Sequence, residues 1–554
     1  MLWVVICLLQ GNVAMLGLMQ SQGLLIHMLL EHAQRHHGDT EIVSRRVEGD
    51  IHRSNWATIA RRAKQVAHAL DADNIPAGAR IATLAWNGYR HLELYFGVSG
   101  SQRVLHTLNP RLVPQQLAWI INHAQDTVVC FDTSFAPLIK AVQAQCPTVQ
   151  HWIALSDETP AQALDCAPNV RAYETWIAGH SEHYEWDEFD ENTASSMCYT
   201  SGTTGNPKAA LYSHRSTMLH AFAAAFPDAL NLCSRDSLLP VVPMFHVNAW
   251  GIPYTAAAVG SKLVFPGPAM DGESIYKLIE AEGVTMAAGV PTVWQMLLGH
   301  MQQNSLKFST LKRTVIGGSA CPPAMFDSFE QDYDVRVIHA WGMTEMSPLG
   351  TIGVIKTAGG TKDGDRTKLL KQGRAVFGVD MKIVNEHGIE QPWDGTSYGD
   401  LLVKGPWVID TYYKSEAPPP LVDGWFPTGD VATIDAQGFM QITDRSKDVI
   451  KSGGEWISSI DVENIAMAHP CVSMAACIGM AHVKWDERPI VVVVKKPGTE
   501  VSKEEVLAFF EGKIAKWQIP DDVVFVDAIP LGATGKMQKM ALRVQLIDYK
   551  LPQD

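Results

Sequence analysis

Along its first part the chain passes repeatedly from a short apolar run, through a turn, into a segment with helical spacing. Arg80–Trp86 precedes the helical Tyr89–Val98, and Thr127–Phe131 precedes the helix-like Phe135–Gln145. Val149–Ala154, Ser237–Pro243, Lys262–Phe265, Thr285–Gly289 and Arg313–Ile316 repeat the strand pattern, mostly with helical stretches between them. This alternation predicts an α/β architecture of layered, mainly parallel sheets covered by helices. At roughly 100–200 residues per domain, 554 residues exceed one simple core and imply about three or four packed units.

Beyond about Gly373 the texture changes to short alternating strands with Gly/Asp turns, at Asp380–Val384, Asp400–Lys404, Val431–Ile434 and Phe439–Thr443. These predict a small β-rich subdomain over about 373–445. From 446 to 554 the pattern is that of a small α+β C-terminal domain, with helices at Ser459–Ala468 and Ser502–Ile514 and strands at Met474–Gly479 and Ile490–Lys495. At the other end, Leu25, Met28, Leu29 and His32 mark an amphipathic helix that stops by Gly38. The main N-terminal domain is therefore expected over 15–445.

Residues Met1–Leu30 contain no Asp, Glu, Lys or Arg, but the continuous apolar run ends at Leu9. That is short of the roughly twenty residues a membrane span needs, and no cationic segment precedes it as a signal peptide requires. Residues 1–14 are expected to be an extension outside the fold, with a weak anchor as the alternative. At most, peripheral membrane contact is expected. The 45 Lys+Arg against 59 Asp+Glu give −14 with no basic block, which argues against nucleic acid as a partner. Nine cysteines are scattered without a C-x-x-C pair, so a zinc knuckle is not indicated and a reducing, cytoplasmic compartment is expected.

The most informative segment is Tyr199-Thr200-Ser201-Gly202-Thr203-Thr204-Gly205-Asn206-Pro207-Lys208. Glycines allow tight turning with successive N–H groups aimed at an anion, Ser and Thr add hydroxyl donors, and Lys208 adds a point charge. It is not a Walker A loop, since Pro207 precedes the lysine and Ala209-Ala210 follow it. Glu345 beside Thr344 offers hard oxygens suited to Mg²⁺, Trp341 offers an indole for stacking on a base, and Asp430 offers two acceptors to a vicinal diol. Arg445 is a candidate ribose or phosphate donor. Gly317-Gly318 leave room where a Cβ would block a passing chain. Each of these alone has a plainer reading as a turn, core or surface residue; together and in order they do not.

The loop resembles the phosphate-binding motif of the adenylate-forming superfamily, which includes acyl-CoA synthetases, luciferases and peptide-synthetase adenylation domains. Gly317-Gly318-Ser319-Ala320, Trp341-Gly342-Met343-Thr344-Glu345, Thr428-Gly429-Asp430, Asp444-Arg445-Ser446-Lys447-Asp448, Lys451-Ser452-Gly453-Gly454-Glu455-Trp456 and Gly535-Lys536 follow as further landmarks. The stretches 241–251 and 452–458 are most similar to bacterial medium- and long-chain fatty acid–CoA ligases.

The resemblance implies an AMP-forming fatty acid–CoA ligase with fatty acid, ATP and CoA as substrates, Mg²⁺ as cofactor, and a homodimeric assembly. It implies Lys536 as the cation of the adenylation step, with Thr203 and Glu345 at the metal. ATP or AMP would meet Thr200, Ser201, Gly202, Thr204, Gly205, Lys208, Gly318, His339, Ala340, Trp341, Thr344, Asp430, Arg445, Lys447 and Lys451. His246, Val247, Trp250 and Gly317 would border the acyl group, with Trp250 as a gate. Ser452, Gly453, Gly454, Glu455 and Trp456 would serve the CoA step after the C-terminal domain pivots near Lys447. Alternatives are a CoA ligase for a short methylthio- or aryl-substituted alkanoate, and a non-catalytic nucleotide-binding homologue. The last is suggested by Ala209, which stands where the family usually has glycine: a left-handed backbone there would strain an alanine, whereas the start of a strand would not.

Overall fold

The computed structural model describes residues 17–158, 160, 163, 165–200, 206–355, 362–452, 455–532 and 537–552, with backbone alone at 362–365 and 455–456. The segment 1–14 thus lies outside the described residues. Within them, four sheets organise an α/β fold.

A seven-stranded sheet runs in the order Arg171–Ala172, His151–Ala154, Asp126–Phe131, Arg80–Leu84, Val104–Thr107, Ala194–Tyr199, Ala209–Ser213. It is parallel except for its last hairpin, which pairs Tyr199 with Ala209. The nine-stranded sheet has a parallel centre made of Arg336–Gly342, Arg313–Ile316, Met286–Gly289, Ser237–Pro240, Lys262–Phe265 and Glu41–Arg45. Antiparallel strands close both of its edges, Ile51–Asn55 on one side and Leu349–Ile352 with Arg374–Ala375 on the other.

Helices Trp56–Ala72 and Tyr89–Gly100 fill the space between the sheets. Every residue of the second is buried, including Arg90 and Glu93, whose charges are paired with Glu174 and Arg62. Asn55 caps the first by accepting from Thr58 N–H at 2.9 Å.

A four-stranded antiparallel sheet, Asp380–Val384, Tyr398–Lys404, Phe426–Ile434 and Met440–Arg445, follows as expected. The last sheet is built on the long hairpin Val472–His482 and Asp486–Lys495, with Asp522–Phe525 parallel to its second strand. Its hydrophobic cores are made only of residues from Ile450 onward. The expected helix Ser502–Ile514 is shorter than its pattern suggests. Ser502 caps Lys503–Ala508 through a capping box, and the chain then turns, with Gly512 at φ 74°.

Every described cysteine is a free thiol, and no described helix is long and apolar enough to cross a membrane.

Candidate active site

The parallel strands of the larger sheet end at a cavity of about 320 Å³. Clefts at the carboxyl ends of strands are where open α/β sheets bind ligands. Val315, Gly317 and Gly318 come from the end of Arg313–Ile316, and Ala340–Met343 from the end of Arg336–Gly342 and just beyond it. Thr200 and Lys208 also line the cavity, from the adjoining hairpin, and Thr200 N–H donates to the Lys208 carbonyl at 2.8 Å. Ser201, Gly202, Thr203, Thr204 and Gly205 lie outside the described residues, as do Gly453, Gly454 and Lys536.

Two hydrogen-bonded groups mark the polar end of the cavity; in the first, Trp341 and Arg445 line it and bond Asp430, which is not itself a lining residue. Trp341 Nε1–H donates to Asp430 Oδ2 at 3.1 Å, and Arg445 Nε meets Asp430 Oδ1 at 3.0 Å. Asp430 is buried, held in place as its own N–H donates to Thr428 Oγ1 at 3.1 Å after Gly429 at φ 74°. The second group centres on Glu345, which is buried on a short helical turn, Thr344–Met346. Tyr212 O–H donates to the Thr344 carbonyl at 2.6 Å, and the Glu345 carbonyl accepts from Ile409 N–H at 2.9 Å, fixing this turn from both sides.

Tyr412 was not singled out from the sequence, yet it joins the parts of this second group. Its O–H donates to Glu345 Oε1 at 2.8 Å, and its ring lies under Lys208 Nζ, 4.9 Å from the ring centroid. Burial, with Glu345 adding to it, pushes the Tyr412 phenol well above the ordinary range, so it remains a donor to the carboxylate.

The apolar end is formed by Leu230, Val247, Trp250, Ile252, Val315 and Leu349. It is shaped by a backbone feature that the sequence did not announce. Val247, Asn248, Ala249 and Trp250 have φ of 45°, 51°, 50° and 57°, and Gly251 follows at 74°. For Val247, Ala249 and Trp250 a left-handed backbone costs roughly 1–2 kcal/mol each, so the surroundings must hold them. Asn248 accepts from the Cys198 thiol at 2.8 Å and is 3.3 Å from the Tyr254 hydroxyl. Upstream, buried Asn87 accepts from Met244 N–H at 2.6 Å and donates to the Pro240 and Val242 carbonyls at 2.8 Å. The turn brings His246, Val247 and Trp250 to the cavity. A Cβ on Gly317 would lie 3.2 Å from the Trp250 ring and 3.0 Å from the Ala340 carbonyl, so glycine there gives the indole its place.

Several expected residues stand elsewhere. The His339 ring is buried away from the cavity: Nε2 accepts from Cys321 N–H at 3.3 Å and Nδ1 bonds the Leu370 carbonyl at 3.1 Å. Burial pulls it down to about 4, so it is neutral at physiological pH. Lys447, Lys451 and Ser452 do not line the cavity. Lys451 N–H donates to Glu487 at 3.0 Å, and Ser452 Oγ accepts from Arg488 at 3.0 Å. The backbones of Glu455 and Trp456 pair with Ser452 and Lys451 in a short hairpin. Ala209 is buried at the start of a strand and is not among the residues with positive φ, so the left-handed strain considered for it does not arise.

The sequence pattern of the AMP-binding enzyme family matches residues 29–413, and that of the AMP-binding enzyme C-terminal domain matches 461–536. Among curated relatives, the 3-methylmercaptopropionyl-CoA ligase of Ruegeria lacuscaerulensis is 52% identical over 536 residues, covering 96% of this chain and 99% of its own. The medium-chain-fatty-acid–CoA ligase of Ectopseudomonas oleovorans is 50% identical over 539 residues, covering 97% and 98%. Among solved structures, ATP-bound MatB from Rhodopseudomonas palustris superposes with a TM-score of 0.80 at 25% identity, over 95% of this chain and 100% of that one. By fold, motif order and full-length similarity, this chain belongs to the AMP-binding enzyme family.

Proposed function

We propose that this chain activates a fatty acid with Mg·ATP and passes it to the thiol of coenzyme A. The enzyme is an acid–thiol ligase that forms AMP. A carboxylate oxygen of the acid attacks the α-phosphorus of ATP, forming the acyl–phosphate bond and expelling pyrophosphate. The CoA thiolate then attacks the acyl carbon, and AMP leaves with the oxygen that joined them. Splitting the reaction converts a poor electrophile into a mixed anhydride.

The observation that carries this reading is one cavity with two chemistries. Lys208, the buried carboxylate of Glu345, and Trp341 and Arg445, which both bond Asp430, stand at one end, and an apolar pocket against Trp250 at the other. Trp341 would stack on adenine, Asp430 would accept from the ribose hydroxyls, and Arg445 and Lys208 would meet phosphate oxygens. The backbone amides and hydroxyls of 200–205 would cradle the phosphates. Val247, Trp250 and Gly317 would bound the acyl chain.

The oxygen donors Glu345 and Thr344 fit Mg²⁺, and Thr203 would add a hydroxyl. Among the described residues no cluster of three or more His, Cys, Asp or Glu could hold a metal alone, which suits an ion that keeps waters and arrives on phosphates. Such an ion would neutralise phosphate charge.

The domain scheme is part of the proposal: a body over 15–445 and a C-terminal domain over 446–554 that pivots near Lys447. It would bring Lys536 in for adenylation and the 451–456 hairpin for thioester formation. Separate hydrophobic cores on the two sides support it. A cytoplasmic homodimer is proposed with it, the location resting on the scattered free thiols.

A short methylthio- or aryl-substituted acid is the second reading. The 52% identical relative and the Trp250 ring seated against Gly317 at the apolar end favour it. AMP formation with acids from propionate to palmitate and 3-methylmercaptopropionate, with and without CoA, tests both. A maximum at medium-chain acids that requires CoA supports the first reading, and one at the thioether acid supports the second. No AMP with any acid refutes both.

A further inference from the structure

A chain of polar side chains runs behind the apolar end of the cavity, and none of them lines it. Thr107 Oγ1 lies 3.3 Å from the Cys198 sulfur, the Cys198 thiol donates to Asn248 Oδ1 at 2.8 Å, and Asn248 Nδ2–H donates to the Tyr254 hydroxyl at 3.3 Å. All four residues are buried. They stand on four different elements: the strands Val104–Thr107 and Ala194–Tyr199, the left-handed turn, and the helix Ile252–Val259. Burial pushes the Cys198 thiol up to about 11, so it keeps the proton that it donates. The Tyr254 ring packs on Tyr95 and Phe96, at 5.5 and 5.8 Å between centroids.

Asn248 is the one amide side chain of the turn, and both ends of it are engaged. It also tolerates its φ of 51°, where Val247, Ala249 and Trp250 are strained. Val247 and Ala249 have no side-chain hydrogen-bonding group, so the side-chain tie that holds the strained backbone is that of Asn248. Beyond Trp250 the chain is fixed again. A Cβ on Gly251 would lie 2.6 Å from the buried His220 ring, whose Nε2 accepts from Leu349 N–H at 3.2 Å. Trp250 thus stands between two anchored residues, with its indole against Gly317.

We infer that Asn248 is a positioning residue that sets which acids the cavity accepts: tied to Cys198 on one side and Tyr254 on the other, it fixes the Trp250 indole and so the shape of the apolar end. The inference rests on the acid-activating reading above. A role carried through Trp250 has a signature that general packing lacks. Freeing the turn should re-rank the acids while the nucleotide end, built from other residues, keeps its affinity. Once the indole is gone the same change should matter little, because residues that act as one unit are not additive.

Asn248→Gly deletes both side-chain bonds at a position where the backbone is left-handed, so it removes the tie without adding strain. Cys198→Ala removes the thiol donor alone, and Cys198→Ser restores a donor. Each is made in the full-length enzyme with and without Trp250→Ala, and kcat/KM is measured for saturated acids from propionate to palmitate. Asn248→Gly and Cys198→Ala should change the ratio of kcat/KM between neighbouring chain lengths by on the order of tenfold, with KM for ATP within about twofold. In the Trp250→Ala background the same changes should shift that ratio by less than about twofold, and Cys198→Ser should keep the unaltered profile. Amide hydrogen exchange over 247–251 reads the turn without any activity. It should quicken by about tenfold in Asn248→Gly and Cys198→Ala, and not in Cys198→Ser. An unchanged acid ranking, unchanged exchange, an equal loss for every acid and for ATP, or the same shift with and without Trp250 would overturn the inference. So would a Cys198→Ser profile no closer to the unaltered one than that of Cys198→Ala. If the unaltered enzyme activates no acid, the functional reading fails, and the exchange pattern alone decides whether Asn248 holds the turn.

Discussion

Replacing Tyr412 by Phe would remove one oxygen and leave the rest of the Glu345 surroundings in place. The ring would still pack edge-on to Phe426, at 6.4 Å between centroids, and still lie under Lys208. What disappears is the 2.8 Å hydrogen bond to Glu345 Oε1. A hydrogen bond to a charged acceptor contributes about 1.5–3 kcal/mol, but this carboxylate borders a cavity that water can enter, so the lower end applies. At 1.4 kcal/mol per factor of ten, kcat for acid-dependent pyrophosphate exchange should fall about tenfold. Half-saturation by Mg²⁺ should move to higher concentration, while KM for the acid stays put. The fold should be untouched, because the half-buried hydroxyl position can be rehydrated. Glu345→Gln, which removes the charge itself, should be at least as severe. If Tyr412→Phe leaves rate and Mg²⁺ dependence within about twofold, Glu345 is not oriented by this bond and the reasoning fails.

Other substitutions probe other parts. Trp250→Ala should change KM for the acid more than KM for ATP and re-rank neighbouring chain lengths by about tenfold, the lower end of what one methylene is worth in an apolar pocket; an unchanged acid profile would make Trp250 a packing residue only. Lys536→Ala should slow formation of acyl-AMP on the order of 10²–10³-fold while sparing thioester formation from supplied acyl-AMP; equal losses would refute its assignment to the first step. Ala209→Gly should lower stability by roughly 1–2 kcal/mol without raising turnover, because the backbone is already an extended strand that glycine only loosens. A rise in turnover would mean that the alanine is strained after all.

Much of the fold could be read from the chain because its central strands are buried on both faces and therefore nearly continuous in apolar residues. Lys262–Phe265 and Arg313–Ile316 coincide with their expected bounds. Edge strands were harder. Ile51–Asn55 is mostly polar and partly exposed, and Ala209–Ser213 follows directly on a motif that draws attention elsewhere. In the site, the landmarks with unusual composition were legible. The pairing of Trp341 with Asp430, 89 residues apart, was not, because only the fold brings them together. Tyr412 carried no local signal, lying in an irregular stretch between Lys404 and Phe426. The left-handed turn at 247–250 was equally silent: only Asn248 and Gly251 are residues at ease there, and Val247 and Trp250 would argue against it.

Oxygen transfer tests the two-step reaction most directly. The acid is supplied with both carboxylate oxygens as ¹⁸O, together with ATP and CoA, and the nucleotide product is analysed by mass spectrometry. If the carboxylate attacks the α-phosphorus and AMP later departs from the acyl carbon, each AMP carries one ¹⁸O and acyl-CoA forms in equal amount. Label in inorganic phosphate with ADP as the product, or unlabelled AMP, would contradict the acyl-adenylate and the assignment built on it.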